Sequence, residues 1–227
     1  QQSSRFLLVQ WFALTEVYQA GLDQAHLSWG RKFRYDAQLR AMYADLSMRA
    51  KDVMLPSYID STLGGWYLID GNFPQLAQAH FIRAQSSSLI RQRELADLGL
   101  AKSLRISASD VDLQQASVVL QGLLDRSTED MHLLEKTMYE SIEILSKLQS
   151  WDILTDRSKE YLSERKFDYQ RSRVWYLLAK SYDSRGITED AIANYSRVFA
   201  GYTRVLAVSA PSVKRLSELT WQRNRPE

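Results

Sequence analysis

Apolar residues recur three, four and seven positions apart along the whole chain, and no run of alternating β-branched residues bounded by turn signals interrupts them. The pattern predicts an all-helical protein. An amphipathic helix is expected from about Arg5 to Gln19, with Trp11, Leu14, Thr15 and Tyr18 on one face. The same spacing returns at Trp175, Leu178, Ala179 and Tyr182, so the octets that begin at the two tryptophans echo one another. Between Leu22 and Val53 the pattern predicts a second helix or helix pair, with Ala37, Ala41 and Ala44 as its small members and a break at Gly30. Pro56 then restarts a helix from a first-turn position, where a missing N–H costs nothing.

Further along, large and small positions alternate in a more regular order. Leu63, Gly64 and Tyr67 are expected on one helix, Gly71 at its left-handed stop, and Ala77, Phe81 and Ala84 on the next. Asp60 occupies the place where the other octets carry tryptophan. His80, on the second of these helices, is expected on a groove or on the helix surface. In the following unit Leu98-Gly99 is present, but Lys102 stands at the aromatic position; Asp110 is read as the N-cap of a helix with Ala116, Leu120 and Leu123 at four-then-three spacing. Met138, Ile142 and Leu145, followed by Leu154, Ser158 and Tyr161, precede the Trp175 unit by one step of ~37 residues. After Gly186 come Ala191, Tyr195 and Val198, and Pro211 to Arg223 is predicted as a last helix whose Val213, Leu216, Leu219 and Trp221 cap the final apolar face.

This order resembles the tetratricopeptide repeat: tryptophan, leucine, glycine and tyrosine on a first helix, a turn glycine, then alanine, phenylalanine and alanine on a second. In the Trp175 unit only the glycine after leucine is replaced, by Ala179. The resemblance implies a right-handed α-solenoid of about five antiparallel helix pairs plus a C-terminal capping helix. Its approximate units are 5–53, 56–86, 87–126, 128–166 and 168–207, with the cap at 210–223, all within a single helical-repeat domain over 1–227. It also implies a non-catalytic scaffold that presents a concave groove to a protein or peptide as part of a larger assembly. In such arrays the first helices of successive pairs line that groove. The family register places Arg173, Tyr176, Lys180 and Asp183 there from one repeat, and Lys136, Tyr139 and Glu143 from the repeat before it. Two tyrosines and three cations would suit a peptide or an acidic group through stacking and charge-assisted hydrogen bonds. The Lys-and-Asn clamp by which some relatives hold a C-terminal carboxylate is not reproduced. A solvated face whose charges only maintain solubility would have the same sequence.

Composition adds bounds rather than an identity. The 227 residues include 9 glycines and 4 prolines, too few and too scattered for an interdomain linker. A formal charge of +2 gives no whole-molecule attraction to a polyanion, which disfavours nucleic acid as a partner. The absence of cysteine removes disulfides, thiolate nucleophiles and zinc–thiolate sites. His26, His80 and His132 lie in different units without metal-ligand spacing, and no phosphate loop or dinucleotide fingerprint is present, so no metal, cofactor or catalytic residue is expected. Asp110 and Asp112 are explained by capping and the helix dipole, and Ser86-Ser87-Ser88 by a turn between units.

The densest basic and aromatic cluster is Trp29, Arg31, Lys32, Arg34 and Tyr35. It supports an alternative function: binding an anionic polymer, an acidic glycan or a nucleic acid, by cations on sulfate, carboxylate or phosphate and rings on sugar or base faces. A helix with Trp29 and Phe33 buried would look the same. The apolar run Phe6 to Val9 is far short of a signal peptide or a membrane span. A polar start after signal removal is compatible with the bacterial periplasm or export, which is preferred over the cytoplasm.

Overall fold

The computed structural model describes residues 60–61, 64–65, 68, 73–126, 130–164, 166–167, 170–202 and 204–223. Among these residues the secondary structure is helical, without strands. We number the helices α1 (Pro74–Ala84), α2 (Ile90–Ser107), α3 (Asp110–Asp125), α4 (Met131–Lys147), α5 (Trp151–Ser163), α6 (Arg171–Ser184), α7 (Thr188–Gly201) and α8 (Leu206–Arg223). The chain divides into two compact units, residues 1–107 and 108–227, and the division falls between α2 and α3. The first expected unit, including the echo at Trp11, lies outside the described residues.

In the first unit α1 starts at Pro74, and its buried face is the predicted Ala77, Phe81 and Ala84. Alanines four and three positions either side of the ring let α2 approach closely, and α1 and α2 pack on each other. The Phe81 ring fills the space of two absent side chains. A Cβ on Gly99 would lie 2.2 Å from Cε1 of Phe81, and one on Gly64 would lie 2.8 Å from its Cζ. The glycine after leucine is therefore a packing requirement at both positions. Asp60, at the expected tryptophan position, is buried and accepts hydrogen bonds from Arg83 Nη2 at 2.9 Å and from His80 Nδ1 at 2.7 Å. This corrects the expected setting of His80, which is buried rather than on a groove: a carboxylate without water needs donors, and the imidazole one turn below Arg83 is one of them.

The second unit is a helical-repeat-like stack. Each helix from α3 to α8 packs on its neighbours in sequence, and α6 also contacts α4 on one side and α8 on the other. Short connections make consecutive helices antiparallel. The four-then-three spacing is buried each time: Ala116, Leu120 and Leu123 on α3; Leu154, Ser158 and Tyr161 on α5; Ala191, Tyr195 and Val198 on α7. Tyr182 and Ala179 of the Trp175 octet are core as well, and Trp175 packs against the same cluster from a half-buried position. Gly186, at φ +72, ends α6 as expected. The Ile187 N–H bonds to the Tyr182 carbonyl at 2.9 Å and the Gly186 N–H to that of Asp183 at 3.0 Å, which satisfies two terminal carbonyls.

Two boundaries differ from expectation. Ser109, not Asp110, caps α3: its extended backbone lets Oγ accept the Asp112 N–H at 3.1 Å, and both aspartates fall in the first turn, near the positive end of the helix. The last helix begins at Leu206, so Pro211 lies inside it. The Val205 carbonyl accepts the N–H groups of Val208 and Ser209, each at 3.0 Å, and starts the helix upstream of the proline. Leu219 is buried in this helix, whereas Trp221 remains 63% exposed and Leu206 74%. The expected capping helix thus carries apolar residues on its outer side too.

The contact at Phe81 predicts opposite signs for two glycine-to-alanine changes. Gly99→Ala gains about 1 kcal/mol of helix propensity but forces the ring aside, at about 1–3 kcal/mol. We expect a lower midpoint in thermal unfolding followed by circular dichroism. On a Phe81→Leu background the same change should be neutral or stabilising. Gly122, inside α3, would place its Cβ in open space, and Gly122→Ala should stabilise by up to about 1 kcal/mol.

Candidate functional site

Arg173, Tyr176, Lys180 and Asp183 are spaced three, four and three residues apart on α6, which puts them on one stripe of the helix. Lys136, Tyr139 and Glu143 follow the same rule on α4. Because α4, α6 and α8 lie side by side, side chains from the three helices meet. The structure brings the two predicted sets together through one ion pair. Arg173 Nε donates to Glu143 Oε1 at 2.7 Å and Nη2 to Oε2 at 3.3 Å, while the Tyr139 hydroxyl donates to the same Oε1 at 2.8 Å. Glu143 is only 8% exposed in its side chain, against 34% for Arg173. Within the predicted groove, Glu143 is therefore an internal anchor, and Arg173 is the group that reaches outward.

The guanidinium of Arg173 lies over the Tyr176 ring, 5.3 Å from its centroid, and Tyr176 in turn meets the Tyr195 ring at 6.1 Å. Further along α6, Asp183 accepts from Arg215 of α8 twice, from Nε at 2.7 Å and from Nη2 at 2.9 Å. The remaining terminal nitrogen of Arg215 donates to Glu218 at 2.8 Å. Lys180 is exposed, with its ammonium 5.6 Å from the centroid of the half-buried Trp151 ring on α5. Lys136 is half-buried on α4. The result is a continuous run of polar and aromatic contacts from Tyr139 to Glu218 across α4, α6 and α8, joined through Tyr195 of α7.

Electrostatics follow from this geometry. Burial opposes the charge on Arg173, but the hydrogen bond and negative charge of Glu143 more than offset it, and its pKa rises above the ordinary arginine value. Arg215 is raised as well, chiefly by its hydrogen bonds to Asp183 and Glu218. Burial pushes the Tyr195 hydroxyl up, helped by the charge of Asp183, toward which it points at 3.4 Å.

Sequence reasoning missed three contributors to this face. Tyr195 is core by position and by burial, yet its hydroxyl joins the Asp183 pair. Arg215 sits on the helix read as a cap, and Trp151 opens α5; neither belongs to the repeat positions expected to face a groove. The only hint in the chain is the Arg215–Glu218 spacing of three. The basic and aromatic cluster Trp29, Arg31, Lys32, Arg34 and Tyr35 lies outside the described residues, as does His26. Among the described residues no group of three or more His, Asp or Glu side chains could hold a metal ion. None of the described helices is long and apolar enough to cross a membrane.

Tyr195 carries a pH prediction. A raised hydroxyl pKa means that the unfolded chain loses this proton at lower pH than the folded one, so its contribution is intact below about pH 10 and is lost as pH climbs above it. Stability measured by urea unfolding should fall more steeply above that pH in the parent protein than in Tyr195→Phe; parallel curves would show that the hydroxyl is not held as described. No family model matches this chain, and no curated protein or solved structure gives a match, so the reading of the face rests on its own residues.

Proposed function

We propose that this protein is a non-catalytic interaction module of the tetratricopeptide type, a right-handed solenoid that holds a segment of another protein on the face formed by α4, α6 and α8. The observation that carries the proposal is the stripe Arg173, Tyr176, Lys180, joined to α4 by the Arg173–Glu143 pair. Rings and cations are held there by neighbouring helices, and a preformed surface spends little ordering entropy on binding. The repeat register is supported by the Phe81 ring packed on Gly64 and Gly99, and by the recurrent burial of the four-then-three positions. Side-by-side packing of α4, α6 and α8 supports the assignment of first helices to one binding face.

The test is capture of partners by the intact chain, compared with a variant carrying Tyr139→Ala, Tyr176→Ala and Lys180→Ala. Those side chains are half-buried or exposed, so the variant should fold, as checked by circular dichroism. We expect at least a tenfold loss of the specifically retained partner, about 1.4 kcal/mol or more. Undiminished capture by the triple variant would place the binding surface elsewhere.

A further inference from the structure

Taking the α4–α6–α8 face as the binding surface, the state of its ionic groups narrows what it can hold. A guanidinium has five N–H donors. In Arg215 all three nitrogens are engaged, two with Asp183 and one with Glu218. In Arg173 only Nε and Nη2 are used, both on Glu143, and among the described residues Nη1 has no acceptor within hydrogen-bond distance. The group is also fixed in orientation: Glu143 grips one edge and the Tyr176 ring lies beneath it. Its outer edge, formed by Nη1 and the second N–H of Nη2, is the fork that receives both oxygens of a carboxylate.

Each of these acids already has an arginine partner: Glu143 is paired with Arg173, and Asp183 and Glu218 share Arg215. The exposed cation on the same stripe is Lys180, whose ammonium touches only the Trp151 ring among the described residues. Arg173 and Lys180 are seven residues apart, which is about 10 Å along the helix. An extended polyproline-II chain rises ~3.1 Å per residue with three residues per turn, so side chains three apart share one side at about 9 Å. That repeat matches the two cations.

We propose that the segment bound here is an extended acidic peptide with two carboxylates three residues apart, one received by the outer edge of Arg173 and the other by Lys180, with the intervening residues over Tyr176. Glu143 acts as a positioning residue: it takes no part in contact with the peptide and holds the guanidinium in the receiving orientation. A charge-assisted fork on a preoriented arginine loses less entropy on binding than a mobile lysine would.

The test uses the full chain and two fluorescein-labelled peptides, read by fluorescence anisotropy. One carries Glu-Pro-Pro-Glu at its centre and the other Gln-Pro-Pro-Gln. We expect the glutamate peptide to bind at least about tenfold more tightly. Lys180→Gln, a change at an exposed position, should narrow that ratio several-fold. Arg173→Lys, which keeps a charge beside Glu143 but removes the fork, should narrow it further, with circular dichroism confirming that the variant is folded at the assay temperature. Equal affinity for both peptides, lost in the triple variant used above, would overturn the acidic specificity and leave the face as a binding surface. Preference for glutamate that is untouched by Lys180→Gln and Arg173→Lys would overturn the assignment to these residues, as would no binding of either peptide at millimolar concentration. Failure of the face itself is read separately, in the capture experiment.

Discussion

Close approach of neighbouring helices, made possible by small residues at fixed spacing, is the constraint on which the rest of the structure depends. Ala77, Ala84, Ala116, Ala179, Ala191 and Ser158 are fully or almost fully enclosed, and each stands three or four positions from a large buried partner. Small side chains at these places let backbones come together, and the large ones then fill the space between three helices rather than two. Phe81 makes the requirement explicit, since two glycines on different helices leave room for one ring. A helix pair of this kind buries one side only, and the second unit meets that demand by continuing the stack from α3 to α8.

That packing has an electrical consequence. Once α4, α6 and α8 lie side by side, acidic residues on their shared face lose water, and each must find a donor. Glu143 and Asp183 solve the problem in the same way, with a two-nitrogen grip from an arginine on the adjacent helix. The solutions differ in what they leave over. Arg215 is consumed by two carboxylates, whereas Arg173 keeps an edge directed away from its anchor. The binding proposed for this face would thus draw on the donors left after the fold has been satisfied.

How much of this was legible along the chain depends on the range of the interaction concerned. Helix type, the buried positions and the stop at Gly186 depend on spacings within one or two turns, which the residue pattern records directly. The same pattern placed Arg173 and Glu143 in neighbouring repeats without saying that one would hold the other. Helix starts were less legible: Ser109 caps α3 in place of Asp110 because the backbone there is extended at the serine, and Leu206 opens α8 ahead of Pro211 because the chain turns at Val205. The first is a choice between adjacent, chemically similar residues, whereas the second moves the start from Pro211 upstream to Leu206.

The amino-acid sequence alone determined that this protein is built of helices and which stripe of each described helix turns inward, since burying an apolar face needs only the period of the helix and the order of large and small residues. Tertiary structure decided which charges pair across helices. It made Glu143 an anchor and Arg173 the outward group, buried His80 beside Asp60, and drew Tyr195 and Arg215 into one polar run. Those outcomes rest on distances between residues 12 to 32 positions apart, and a separation in sequence becomes a separation in space only when the helices have packed.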